Sequence, residues 1–451
     1  MEKVSARAVL GLAALGFAGH DPAAAASPTR PNLILLSVDT LRADHLGLYG
    51  YSRPTSPNLD QLLRRGAWFS DATCNVPLTN PSFSSMLTSR YPHQTGATRN
   101  GIPMLPGNQT LAQILHDQGY HTAAILSNWP LKAHLSGLKP GFDLYDDEFF
   151  EKRWLFFNDE RDAESVTAHA LAWLEQKPAE PFFLWVHYSD PHAPYLNHPN
   201  FSFRSSQRLS SAERNLDDYD SEIAYTDHYI GKLLEALQTR EFFARTLIVF
   251  VADHGESLGE HQYTGHGRNL YQPSLHVPFG LIGPGIPPGR RLETPVELLD
   301  LAPTVLAYAG LPAGPKMLGR NLLPAIQDMA ELPRRLIYFE TYPGAVPRLG
   351  EVKGAEEVLN TQKPIWIGFR DGPVKISYSL RASRWELYHL GPDPGELHNL
   401  AKVTDPDFIA VSDRLLAWYH LQEKEGWAVG QTDAITDQDR KQFESLGYVD
   451  K

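Results

Sequence analysis

Three short stretches of this chain hold residue types that together can perform ester chemistry. Thr79 opens the run Thr79-Asn80-Pro81-Ser82-Phe83-Ser84-Ser85-Met86-Leu87-Thr88-Ser89-Arg90-Tyr91-Pro92-His93. Val38-Asp39-Thr40 closes one apolar run and Ala252-Asp253-His254-Gly255 closes another. A hydroxyl, two carboxylates and an imidazole are the set from which a metal-activated alkoxide nucleophile is built. Each segment also has a plainer explanation. A threonine just before the first turn of a helix is commonly its N-cap, and an Asp-His pair after a strand commonly lies in a solvated loop. What raises them above those explanations is their placement at equivalent points of a repeating pattern.

That pattern is an alternation of strands and helices. Leu33 to Val38, Tyr120 to Leu126, Phe182 to Val186 and Thr246 to Val251 are continuous apolar runs, which read as buried parallel strands. Helical patterns intervene at Ser56 to Arg65, Thr110 to Gln118, Ala163 to Glu175 and Asp220 to Gln238. The alternation predicts an α/β fold with a large, mostly parallel sheet between helices. Ligands in such sheets gather at the carboxyl ends of strands. Asp39, Asp253-His254 and Asp190-Pro191-His192 all lie there, so they are expected to converge on one pocket. The Pro81 position predicts a helix running through Met86 and Leu87 with Thr79 at its N-terminal end. Free backbone N–H groups would then face an anion held beside the hydroxyl.

From about residue 329 the character changes. Ile337 to Thr341, Ile365 to Phe369, Lys375 to Leu380 and Trp385 to Leu390 read as a small antiparallel sheet, with a helix from about Phe408 to Lys424. The expected organisation is a leader at 1–26, a catalytic domain at 31–328, an α+β subdomain at 329–425 and a peripheral tail at 426–451. The leader has Lys3 and Arg7, an apolar stretch, and an alanine run before Ser27, in the order of a secretory signal. It points to a secreted or periplasmic protein, the cytoplasm being the alternative. No later segment is long and apolar enough to span a bilayer, so no transmembrane anchor is expected after the leader.

The chain has 451 residues, a net charge of −12 and a single cysteine. The negative charge argues against a nucleic-acid partner, and one cysteine excludes a disulfide framework. Cys74 is expected to be a buried filler. Gly280 to Gly285 is expected to be a turn, Glu256 and Glu260 a solvated helical face, and His187 structural. Asn108-Gln109-Thr110 fits a glycosylation acceptor if the chain passes through a eukaryotic secretory route.

Longer motifs identify a family. Pro31-Asn32 with Ser37-Val38-Asp39-Thr40-Leu41-Arg42-Ala43-Asp44-His45, the Thr79 to His93 run, and Ala252-Asp253-His254-Gly255-Glu256 resemble the sulfatase branch of the alkaline phosphatase superfamily. So do Asp300-Leu301-Ala302-Pro303-Thr304, Trp385-Glu386-Leu387-Tyr388, Asp393-Pro394-Gly395-Glu396-Leu397 and Asn399-Leu400-Ala401. The likeness runs from about Pro31 to Ala401. It implies the alkaline phosphatase-like fold and a metal-dependent hydrolase of phosphate or sulfate esters.

Departures from the family pattern bear on the reaction. Sulfatases carry a cysteine or serine at the Thr79 position, matured to formylglycine, followed by an arginine where Phe83 stands here. Threonine cannot give that aldehyde, so no formylglycine is expected. Asn128 and Pro130 stand where sulfatases place sulfate-binding lysine and histidine, and Thr40 stands at a second metal-binding aspartate. Asp39, Thr79, Asp253 and His254 resemble the metal set of threonine-dependent relatives: nucleotide phosphodiesterases, phosphoethanolamine transferases and lipoteichoic-acid synthases. An imidazole in the set favours zinc or manganese over calcium or magnesium. His266, twelve residues after His254, is placed like a second-metal or leaving-group histidine of those transferases.

The resemblance thus implies that Thr79 attacks the central atom, with Asn128, Asp190 and the helix N-terminus binding the ester. His266 and His192 serve the leaving group and the water. Asp190, His192 and His266 are the set for a second metal. Phosphate mono- or diesters are favoured because a threonyl ester must be broken by a second in-line attack. The alternatives are a true sulfuric ester hydrolase, a phospho-group transferase, and a binding protein that has lost turnover. The substrate is expected to be a small-molecule, glycan or lipid ester, chosen by loops such as Asn197 to Leu216.

Overall fold

The computed structural model describes residues 30–149, 160–204, 210–343 and 363–426, together with 436, 438, 439 and 441. The 1–26 leader and most of the 426–451 tail lie outside the described residues. Residues Pro31–Lys451 form one compact unit.

The chain order of strands is β1 (Asn32–Val38), β2 (Ala67–Thr73), β3 (His121–Ile125), β4 (Leu144–Asp146), β5 (Phe182–Tyr188) and β6 (Thr246–Ala252). There follow a short ribbon of β7 (Ser257–Leu258) and β8 (Thr264–Gly265), then β9 (His276–Ile282), β10 (Arg290–Leu292) and β11 (Val296–Glu297). The principal sheet has the order β10-β2-β9-β6-β1-β5-β3-β4, with β11 also paired to β2. β1 runs parallel to both β5 and β6, and β3 parallel to both β4 and β5. Every residue of β1, β5 and β6 is buried. That is why these strands read as unbroken apolar runs: both faces are covered. The helices Pro57–Arg64, Ala163–Glu175 and Ser211–Gln238 pack together, as do Thr79–Thr88, Leu111–Asp117 and Leu301–Tyr308, giving a helical layer on each face.

Seven strands escaped the sequence reading, β2 and β9 being the longest of them. β9 is antiparallel to β2 and β6 and makes the sheet mixed. Its Pro278 and Gly280 mask a strand signal, and the polar Ser70 and Asp71 mask β2. Gly280 and the two residues after it belong to β9, so the turn expected at Gly280 to Gly285 begins only at Gly283. The long helix starts at Ser211 rather than Asp220, through a reciprocal Ser210–Glu213 cap ahead of polar early turns. It therefore takes up the last part of the loop expected at Asn197 to Leu216.

The second sheet is antiparallel: β12 (Ile337–Thr341), β13 (Trp366–Asp371), β14 (Val374–Ser379) and β15 (Arg384–His389), in that order. The helix Pro406–Glu425 packs Phe408, Leu415 and Tyr419 against Ile367, Phe369 and Ile376 of this sheet. Asp439, within the tail, is buried and lies 3.1 Å from His134 Nε2. Among the described residues no helix is long and apolar enough to cross a membrane.

Candidate active site

Strand register brings the two acidic positions together. Val38 is paired with Ala252 across the parallel β1–β6 ladder, so Asp39 and Asp253 are the next residues of adjacent strands. Strands in a sheet lie about 4.8 Å apart, which sets the two carboxylates side by side. The chain then turns sharply: Thr40 has φ +55°, a costly conformation for a β-branched residue. Tyr219 holds that turn, its hydroxyl donating to Thr40 O at 2.6 Å and accepting from Arg42 N at 3.0 Å.

Each carboxylate commits one oxygen and presents the other. Asp39 Oδ2 accepts from Asn128 Nδ2 at 2.5 Å, and Asp253 Oδ1 accepts from the backbone N–H of His254 at 2.9 Å. Asp39 Oδ1 and Asp253 Oδ2 are buried with no hydrogen-bond partner. They lie 3.5 and 3.6 Å from His254 Nε2. The same nitrogen is 3.5 Å from Thr79 Oγ1. His254 Nδ1 faces Gly255 O at 3.0 Å, which assigns the ring proton there and leaves Nε2 with its lone pair. Two orphaned carboxylate oxygens, an imidazole lone pair and a hydroxyl around one point are the donor set of a divalent cation. Burial raises both carboxyl groups, their mutual repulsion adding to it for Asp39; a cation would reverse that shift.

Thr79 begins the helix Thr79–Thr88, and Leu78 is the N-cap. The threonine is therefore not a cap, and its hydroxyl is turned to His254. The helix end offers fewer donors than expected. Asn80 N–H donates to Asn100 Oδ1, Pro81 has none, and Ser82 N–H donates to Leu78 O. Phe83 packs on Trp185 and His187, so the ground held by arginine in sulfatases is aromatic here. His187 itself lies buried with Nδ1 2.9 Å from Ser37 Oγ, a structural position. Gly255 is required by close approach rather than by a turn: a Cβ there would fall 2.0 Å from Pro273 O.

A second group flanks the first. The His266 ring centroid is 4.4 Å from that of His254 and 5.2 Å from that of His192. His266 Nδ1 is 3.1 Å from Glu256 Oε1, and His192 Nδ1 is 2.7 Å from Ala193 O. In both rings the contact at Nδ1 fixes the orientation of the imidazole. Burial lowers the pKa of His192 to about 3, with His266 the next cause, and burial followed by His254 holds His266 well below its usual value.

Three expectations need correction. Glu256 is fully buried and pushed up to about 7 by desolvation, so it lies on no solvated helical face, whereas Glu260 opens the short 3-10 helix Glu260–Gln262, half-exposed, and accepts from Arg42 Nη1 at 2.6 Å. The segment that follows His254 is the β7 strand, not a helix. Glu256 was legible only as the last letter of the Asp253-His254-Gly255-Glu256 motif. The second-metal set is not assembled: among the described residues Asp39, Asp253 and His254 form the group with three ligand atoms within 4.8 Å of one another. Asp190 Oδ1 instead accepts from Ala163 N–H at the start of the helix Ala163–Glu175. Asn108 is buried and donates to Thr95 O and Leu105 O, which leaves no room for a glycan. Cys74 is buried as expected.

A mixed sheet with acids and an imidazole at its strand ends fits the alkaline phosphatase superfamily. Residues 31–311 match the Sulfatase family, and residues 259–418 match the family N-sulphoglucosamine sulphohydrolase, C-terminal. The chain belongs to the sulfatase family and is an ester hydrolase. Delta 4,5-hexuronate-2-O-sulfatase of Bacteroides thetaiotaomicron is 26% identical over 471 aligned positions, covering 91% of this chain and 93% of that protein. Phosphonate monoester hydrolase of Agrobacterium radiobacter superposes with a TM-score of 0.70 at 21% identity, covering 91% of this chain and 99% of its own. A protein solved with its substrate D-glucosamine-2-N,6-O-disulfate superposes with a TM-score of 0.71 at 20% identity, covering 88% and 99%. These two structural likenesses establish the fold.

Proposed function

We propose that this enzyme hydrolyses phosphate esters, and sulfate esters less readily, with the unmodified Thr79 hydroxyl as nucleophile. The observation that carries the proposal is the buried Thr79 Oγ1, 3.5 Å from His254 Nε2 and beside the unpartnered oxygens of Asp39 and Asp253. A divalent cation held by Asp39, Asp253 and His254, zinc or manganese by the donor set, would lower the pKa of the hydroxyl and offset charge on the ester.

The remaining steps belong to the side chains. Thr79 Oγ passes its proton to the neutral His266 at Nε2 and bonds the central atom while the bond to the leaving oxygen breaks. His266 Nε2 delivers that proton to the leaving oxygen, with Nδ1 steadied by Glu256. Water then attacks the same centre and gives a proton to His266 Nε2, which hands it to Thr79 Oγ as the Thr79–ester bond breaks. His192 lies at the His266 edge of the pocket and bounds the leaving-group side. Asn128 orients Asp39 rather than gripping the ester. No aldehyde takes part, because position 79 is threonine and Phe83 replaces the arginine of the maturation pattern.

Sulfate ester hydrolysis is the second reading, favoured by the hexuronate-2-O-sulfatase relative. Under either, the substrate is a glycan, lipid or small-molecule ester, met outside the cytoplasm if the leader acts as a secretory signal. The test is turnover of an aryl sulfate, a phosphate monoester and a phosphodiester by protein loaded with zinc, manganese, calcium or magnesium. Faster phosphoester turnover is the expected result. Turnover of the sulfate alone overturns the phosphoester preference.

A further inference from the structure

The C-terminal sheet does more than cover the principal domain. Between His266 and the start of β9, four points of the chain are gripped by residues of that sheet or its following turn. Thr341 Oγ1, at the end of β12, donates to Gly267 O at 2.7 Å. Lys375 Nζ, on β14, donates to Leu270 O. Tyr271 OH donates to Glu386 Oε1 of β15 at 2.9 Å. Gln272 N–H donates to Glu396 Oε2 at 2.7 Å.

Lys375 and Glu396 are also paired with each other at 2.5 Å, and both are almost wholly buried, at 1% and 2% exposure. Glu396 adopts φ +55° to make these bonds. A buried ion pair is a poor source of stability, since desolvation cancels most of its attraction. Here the pair fixes a position. The gripped segment touches the metal-ligand loop as well: Gly255 N–H donates to Ser274 O at 3.0 Å, and Gly255 lies against Pro273 O.

We infer that Thr341, Lys375, Glu386 and Glu396 are positioning residues, through which the C-terminal sheet sets His266 against the leaving group of the ester. The inference rests on the leaving-group role proposed for His266. Misplacement by about 1 Å is enough to cost up to about a hundredfold in rate. A displaced acid penalises esters with poor leaving groups far more than those with good ones, and general loss of fold penalises both alike.

The experiment compares kcat for an alkyl ester and a 4-nitrophenyl ester of whichever acid the enzyme turns over. The variants are Thr341→Val, Tyr271→Phe, and the neutral pair Lys375→Met with Glu396→Gln. His266→Ala is the reference, and circular dichroism checks the fold. The expected result is about a tenfold fall for the alkyl ester with little change for the nitrophenyl ester, and recovery in Thr341→Ser. If the neutral pair does not fold, Thr341→Val and Tyr271→Phe carry the test. An unchanged ratio in those two folded variants, with a selective loss in His266→Ala, overturns the inference alone. Equal losses on both esters in His266→Ala overturn the leaving-group role itself, and the inference with it.

Discussion

The floor of the pocket and its rim are built on opposite plans. In the floor, Asp39 and Asp253 each tie back one oxygen and leave the other unpartnered around His254 Nε2. In the rim, His266 and His192 tie back one ring nitrogen each, to Glu256 and to Ala193 O. The floor sets two unpartnered carboxyl oxygens beside an imidazole lone pair and asks for a cation. The rim stores neutral imidazoles with a fixed tautomer and handles protons. A site that shared these jobs among the same residues would bind its metal less tightly whenever it moved a proton.

Breaking the floor has the largest effect. Asp253→Asn is expected to release the metal and cut turnover by about a thousandfold or more, several kcal/mol of electrostatic stabilisation. Metal content by elemental analysis and kcat check it. Breaking the rim spares the metal: His266→Ala keeps its metal content and loses about a hundredfold or more on alkyl esters. Glu256→Gln, which weakens only the anchor of His266, is expected to lose about ten- to a hundredfold with metal retained. Loss of metal from either rim variant would merge the two plans into one.

pH separates the plans further. Burial raises the carboxyl pKa values of Asp39, Asp253 and Glu256 above their unfolded values. A raised carboxyl favours folding while protonated, so its stabilising effect is full below the unfolded pKa and is lost as pH climbs through the folded one. Chelated protein should therefore lose Tm from about pH 4 to about pH 8, and metal-loaded protein should lose much less. Equal slopes with and without metal would contradict the floor as a cation site. The smallest effect is expected at Cys74→Ala, with kcat unchanged and a cost of about 1 kcal/mol in stability by denaturant unfolding.

Much of the fold was legible because β1, β5 and β6 are buried on both faces and so appear as plain apolar runs. β2 and β9 were not, since Ser70, Asp71, Pro278 and Gly280 interrupt their pattern. The floor was legible for a geometric reason: Asp39 and Asp253 follow paired residues of neighbouring parallel strands. The rim was legible in part: His192 follows the β5 run at a strand end, whereas His266 was legible only by family likeness, because Glu256 reaches it across the β7–β8 ribbon and nothing in local sequence encodes that. The four contacts holding residues 267–272 span up to 124 positions of sequence and left no local trace.

The central claim is that Thr79 itself is the nucleophile. The direct measurement is kcat for Thr79→Ala and Thr79→Val on the best ester, with metal content and circular dichroism taken on the same samples. The account predicts folded, metal-loaded proteins whose turnover falls by about a thousandfold or more. Turnover within about tenfold of wild type in Thr79→Ala would contradict it, since a covalent nucleophile cannot be removed at so small a cost.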